Sequence, residues 1–204
     1  TGKIVTEKIE DTTGSITFSL DNKFIFYSKL DRHHRPRKIF RHKIDTFIKE
    51  DILIFEEKSK SFTVGLGLSS DEKYYFLSTS DHNTSEQYYF SVNENIPKPK
   101  LIKKRKKGIL YSVNSWNGYF YKHTNENAED FKIKVCKDLS NQNWKTYIAP
   151  KEEVLIGDLI FLNDWIIRSE TSDALGKIFA KNVKTGFEEE IKFADEKVIV
   201  PGVS

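Results

Sequence analysis

Methionine is absent from this sequence, and among its 204 residues cysteine occurs once, at Cys136. A lone cysteine excludes an internal disulfide and fits a reducing compartment, so a cytoplasmic location is expected. No apolar run approaches the roughly 20 residues of a membrane-spanning helix, and membrane association is not expected. Thr1-Gly2-Lys3-Ile4 opens no signal-peptide core. With no Met at position 1, the chain reads as a piece cut from something longer. Charge of one sign is also lacking. Lys+Arg 33 against Asp+Glu 30 leaves a net +3, which does not by itself argue for nucleic acid.

Helical periodicity is missing as well, most plainly over Asp51–Gln87. There the short apolar run Ile52–Phe55 meets a charged turn, Glu56–Lys60. Phe62–Leu68 is apolar with two glycines, Gly65 and Gly67. The polar turn Ser69–Lys73 leads into Tyr74–Ser80, aromatic and β-branched as a strand should be. Glu86–Val92 follows after a polar link. The stretch reads as strand, hairpin, strand, loop, strand. Aromatic residues at 13%, with Phe 15 and Tyr 9, agree with pleated structure.

The same unit recurs along the chain. The first copy has strands Ser15–Ser19, Phe24–Ser28, Lys38–Lys43 and Asp51–Phe55. The third has Ile109–Val113, Tyr119–His123, Phe131–Val135 and Trp144–Ile148. The fourth has Val154–Leu162, Trp165–Ser169, Leu175–Val183 and Phe187–Phe193, and Lys197–Val200 reads as the first strand of another unit. Hairpin residues Asp21 and Asp71 are 50 apart, and Asn117 and Asn163 follow at steps of 46. A period of about 45–50 residues with four strands each marks propeller blades. The competing arrangement, a β-sandwich or barrel with strands every 8–12 residues, lacks that period. Strands such as Tyr-Tyr-Phe-Leu are apolar on both faces, as blades packed between neighbours require. The expected fold is therefore all-β, a partial propeller of about four four-stranded antiparallel blades. It would form one domain over 1–204, with blades near 15–56, 62–104, 109–148 and 154–193 and a further blade starting at 196–204.

The segments Thr12–Ser15, Asp51–Glu57, Thr84–Glu86, Tyr121–Asn125 with Asp130-Phe131, and Thr185-Gly186 before Ile191–Phe193 resemble, in order and spacing, the N-terminal propeller of the oligopeptidase B branch of the prolyl oligopeptidase family of serine peptidases. The likeness runs from about Gly14 to the end. It implies a seven-bladed, unclosed propeller capping an α/β-hydrolase peptidase domain of the same parent, admitting short peptides that are cut after Lys or Arg. About four blades of that propeller would lie here. Family members often carry Glu-Arg followed shortly by Gly-Leu in the last blade, where this chain has Glu170-Thr171 and Ala174-Leu175. An ion pair made by that arginine is therefore not carried over to this chain.

Catalytic chemistry is not expected from these residues. The nucleophile elbow Gly-x-Ser-x-Gly occurs nowhere, and Ser69 follows Gly65 and Gly67 at the wrong spacing. His33-His34 lie between arginines that would repel a metal cation, with no carboxylate or cysteine to complete a ligand set, so they read as an exposed basic loop. His42, His82 and His123 suggest no ligand set, the last two reading as ordinary loop and sheet residues, and Cys136 reads as a structural thiol at a strand end. No metal, cofactor or catalytic residue is assigned. The run Lys98–Lys107 reads as a solvated outer strand whose lysines block edge pairing, since no aromatic side chain interleaves it for stacking on nucleic acid. Glu188-Glu189-Glu190 reads as a soluble outer face, and Asn83-Thr84-Ser85 matches a glycosylation acceptor without a secretory context. The second reading is a stand-alone interaction module, or a degraded non-catalytic remnant, that shields its open edges by self-association.

Overall fold

The computed structural model describes residues 8–192. Among them run sixteen strands: β1 (Thr12–Phe18), β2 (Phe24–Leu30), β3 (Pro36–Lys43), β4 (Ile52–Glu56), β5 (Thr63–Leu68), β6 (Tyr74–Ser80), β7 (Ser85–Ser91), β8 (Lys100–Lys103), β9 (Tyr111–Trp116), β10 (Tyr119–Thr124), β11 (Lys132–Cys136), β12 (Lys145–Ile148), β13 (Leu155–Leu162), β14 (Trp165–Ser172), β15 (Leu175–Asn182) and β16 (Glu188–Glu190). They form four antiparallel four-stranded sheets, each a meander in chain order. This is the all-β, partial-propeller architecture read from the period. The expected strand Lys197–Val200, and the end of the fourth blade at Phe193, lie outside the described residues.

The first hairpins of the sheets come in two designs. In the first two sheets a five-residue connection carries the same design. Ser19 donates to Asp21 (2.7 Å) while its hydroxyl accepts the Phe24 N–H (2.9 Å). Ser69 likewise donates to Asp71 (2.8 Å) and accepts the Tyr74 N–H (3.0 Å). The fourth residue of each connection, Asn22 or Glu72, turns left-handed at φ 55° and 56°. The third sheet replaces this with the two-residue turn Asn117-Gly118, at φ 50° and 76°, the geometry that a tight hairpin demands and Asn-Gly accommodates.

The chain divides into two compact units, Thr1–Ser115 and Trp116–Ser204. In the first, Phe26 and Ile39 of the first sheet meet Val64, Tyr75, Leu77 and Phe90 of the second, all buried. Phe26 lies 4.9 Å from Tyr75, and Phe55 4.9 Å from Tyr88, ring centre to ring centre. Tyr75, Phe76 and Leu77 are consecutive and all buried. A strand used on both faces explains why its sequence does not alternate. In the second unit Trp116, Tyr121, Ile133, Ile156 and Ile166 form the core, with Phe161 lying 5.3 Å from Trp116. Each such side chain contributes about 1.5–3 kcal/mol by leaving water.

Outer strands are shorter than their composition suggests. The fourth strand of the second sheet is Lys100–Lys103 and that of the fourth sheet Glu188–Glu190, not the whole of Lys98–Lys107 or Phe187–Phe193. At an edge, pairing is possible on one side only, and charged side chains gain little from extending it. Gly65 and Gly67 of β5 face open space, with nothing within 4 Å of where a Cβ would stand.

Candidate functional site

The most organised polar group in the first unit gathers around Arg105. Glu57 follows β4 and is 3% exposed. Its carboxylate accepts from the Thr79 hydroxyl (2.6 Å), the Ser59 N–H (2.8 Å) and Arg105 Nη2 (2.7 Å). Glu86, on β7, accepts from the Arg105 backbone N–H (2.8 Å), from Arg105 Nη2 (3.0 Å) and from the Tyr88 hydroxyl (2.8 Å). The guanidinium lies 4.1 Å above the Phe62 ring, where cation–π attraction adds to its pairing. Burial alone would push both carboxyls up. The hydroxyl and N–H donors and Arg105 outweigh it and hold both Glu57 and Glu86 below the ordinary glutamate range. Both are thus ionised, with internal donors on their oxygens. The arrangement fastens the first sheet to the second.

Arg105 corrects the reading of Lys98–Lys107 as wholly solvated. Arg105 Nη2 meets both carboxylates while Nε also reaches Glu86, a planar spread of donors that a compact ammonium matches poorly. The lone arginine in a run of lysines was the signal that could have found it. The basic loop Arg32–Arg37 is likewise only partly free. Asp31 accepts the His33 and Arg35 N–H groups (2.7 and 3.1 Å) and pairs with the Arg35 guanidinium (3.1 Å). A carboxylate therefore does stand beside His33-His34, already committed to the loop's own donors. Arg35 also reaches the Lys60 carbonyl, and Arg37 the carbonyls of Glu57 and Ser59.

The second unit has its own cluster. Arg168 and Glu170, two apart on β14 and so on one face, are each 4% exposed. Arg168 Nε donates to Glu170 Oε1 (2.7 Å), and Lys151 Nζ donates to both Glu170 oxygens (2.7 and 2.8 Å). Arg168 Nη2 also reaches Glu188 Oε1 (3.0 Å), and Lys181 approaches the other oxygen of Glu188 at 3.5 Å. Against burial, these cations hold the Glu188 carboxyl below its usual range. Glu170 is thus ion-paired although no arginine follows it at position 171. Its arginine comes from two residues earlier on the same strand rather than from the next residue.

The remaining candidates take structural places. Ser69 is buried, with its hydroxyl spent on the hairpin. His42 Nδ1 stands 2.6 Å from Asp51 Oδ1, and the Tyr27 hydroxyl donates to the other oxygen (2.7 Å). That is two-thirds of a hydrolytic arrangement, but no serine or cysteine is hydrogen-bonded to this ring among the described residues. His123 donates from Nε2 to the Ile156 carbonyl (2.7 Å) and stacks on Phe131 at 4.5 Å, and burial lowers its pKa. His82 and Asn83 are exposed. Cys136 ends β11, buried and free, and burial pushes its thiol up. No group of three or more metal-ligating side chains is arranged to hold an ion among the described residues.

What these residues define is a segment of β-propeller, four consecutive meanders with charge clusters locking neighbouring strands. The chain belongs to the prolyl oligopeptidase N-terminal β-propeller family, whose model matches residues 1–202. It is similar to Protease 2 of Moraxella lacunata, 32% identical over 146 residues, covering 70% of this chain and 21% of that protein. Dipeptidyl aminopeptidase BI of Pseudoxanthomonas mexicana is 22% identical over 211 residues, covering 100% of this chain and 28% of the relative. Among solved structures, oligopeptidase B from Trypanosoma brucei superposes with a TM-score of 0.87 at 22% identity, covering 95% of this chain and 29% of that one. Oligopeptidase B from Leishmania major gives 0.87 at 17% identity, covering 96% and 29%. The chain thus spans less than a third of each relative's length.

Proposed function

We propose that this chain is the substrate-gating propeller of a serine oligopeptidase resembling oligopeptidase B. The carrying observation is the succession of four four-stranded meanders, which follows the oligopeptidase B fold over 95% of the chain. In this reading an α/β-hydrolase domain of the same parent supplies serine, histidine and aspartate. The propeller covers it and passes only short, unfolded peptides, which are cut after Lys or Arg in the cytoplasm. Gating by a lid protects the reaction centre from water and from folded proteins. The rigidity that this needs comes from the doubly packed aromatic strands and the buried ion pairs.

The test is to express the 204-residue chain and the full product of its reading frame side by side. The full product should release chromophore from short peptides ending in Arg or Lys, lose that activity to a serine-directed inhibitor, and spare folded proteins. The isolated chain should show no turnover above buffer. Inhibitor-sensitive turnover by the isolated chain, or an inert full product, would overturn the proposal.

A further inference from the structure

Arg41, on β3, is 8% exposed, yet no carboxylate pairs with it among the described residues. Its Nη1 donates to the Asn95 carbonyl (2.6 Å), and its Nε is buried with no hydrogen-bond partner. The guanidinium lies 4.4 Å above the Phe24 ring. Arg105 and Arg168, by contrast, each meet two carboxylates. A buried cation without a counter-charge is costly, and a buried N–H without an acceptor is rare in native proteins.

The same guanidinium lines a pocket of about 290 Å³ within the first unit. Phe24, Phe26, Tyr75 and Phe90 contribute apolar wall, and the loops 19–21 and 91–95 form its polar side. Two acidic residues lie on that side. Asp21 is taken by the Ser19 hydroxyl and the Lys23 N–H, and Glu94 by the N–H groups of Ser91 and Lys98. Neither pairs with Arg41, and their negative charge disfavours a dianion. The volume is at the small end for a ligand site.

We propose that this pocket binds a small monocarboxylate with an apolar body, its carboxylate accepting from Arg41 and its body lying against the aromatic wall. A free organic acid and the C-terminus of a short peptide carry the same group. The proposal is independent of the peptidase reading, since it concerns a cavity wholly inside the first unit.

The 204-residue chain is titrated with N-acetylphenylalanine, with its uncharged amide, with the dipeptide Gly-Phe and with inorganic phosphate. Calorimetry and the Arg41 Nε–H resonance are the readouts. The acid should shift that resonance and bind at least about tenfold more tightly than the amide, the margin expected of a charge-assisted pair. Arg41→Met should abolish binding without lowering the melting temperature, because it removes an unpaired buried charge. Binding by either acid supports the site, and the tighter of the two names the source. Equal binding of acid and amide, tighter binding of phosphate, or no resonance shift with any carboxylate overturns it. So does an Arg41→Met protein that is destabilised and unchanged in affinity, which would make Arg41 a purely structural tie to Asn95.

Discussion

The two units bury charge in opposite proportions. In the first, two carboxylates, Glu57 and Glu86, depend on one guanidinium. In the second, one fully buried carboxylate, Glu170, is shared by Lys151 and Arg168. The difference teaches where redundancy lies. An ion pair removed from water contributes little net stability when intact, but breaking it leaves a bare charge that costs far more. Arg105 has no substitute, whereas Arg168 has one in Lys151.

The largest break in this comparison is Arg105→Met. It should cost about 3–5 kcal/mol in urea unfolding, the range for stranding a buried charge. Arg168→Met should cost less, about 1–3 kcal/mol, because Glu170 keeps Lys151. Equal losses would show that Lys151, whose side chain is 44% exposed, does not serve as a replacement.

Acid sharpens the contrast. Glu57 and Glu86 have folded-state pKa values below their ordinary 4.5. The stability they supply is therefore complete above about pH 4.5 and is lost as pH falls through the depressed folded values. In the second unit Glu188 is shifted the same way, but its side chain is 33% exposed, so screening weakens its contribution. Trp116, Trp144 and Trp165 all lie in the second unit, so tryptophan fluorescence reports that unit alone. Amide exchange on β7 should accelerate at a higher pH than the one at which fluorescence changes. Coincident transitions would mean that the clusters do not set the acid response.

Smaller effects sit in the hairpins. Asp173 and Ala174 turn at φ 52° and 60° between Ser172 and Leu175, which face each other across β14 and β15. A Cβ in that conformation costs about 1–2 kcal/mol. Ala174→Gly should thus stabilise the chain by about 1 kcal/mol and raise the melting temperature by roughly 2–4 °C. In the first unit Glu72 holds the left-handed position that Asn22 holds fifty residues earlier. Glu72→Asn should help in the same direction by about 0.5 kcal/mol, since asparagine tolerates that region better. No rise in either variant would place the strain outside these turns.

How much of this was legible follows the range of the forces involved. The hairpins Ser19–Phe24 and Ser69–Tyr74 were readable because their bonds are local, serine to aspartate and back to the chain. The inner strands were readable because aromatic and β-branched residues declare extended backbone. The charge clusters were not. Glu57 sits in a run that reads as a polar turn, Glu86 at the start of a strand, and Arg105 among lysines. Nothing local says that they converge. Arg168 was overlooked because the family pattern directs attention to the position after Glu170.

The order of residues alone determined the repeat, the meanders and their turns, since each depends on neighbours within a few positions. Tertiary structure alone decided which charges left water, because burial is a property of the packed sheets and not of any segment. It gave Arg105 two carboxylates and Arg41 none among the described residues, though each is an arginine flanked by lysines or histidine.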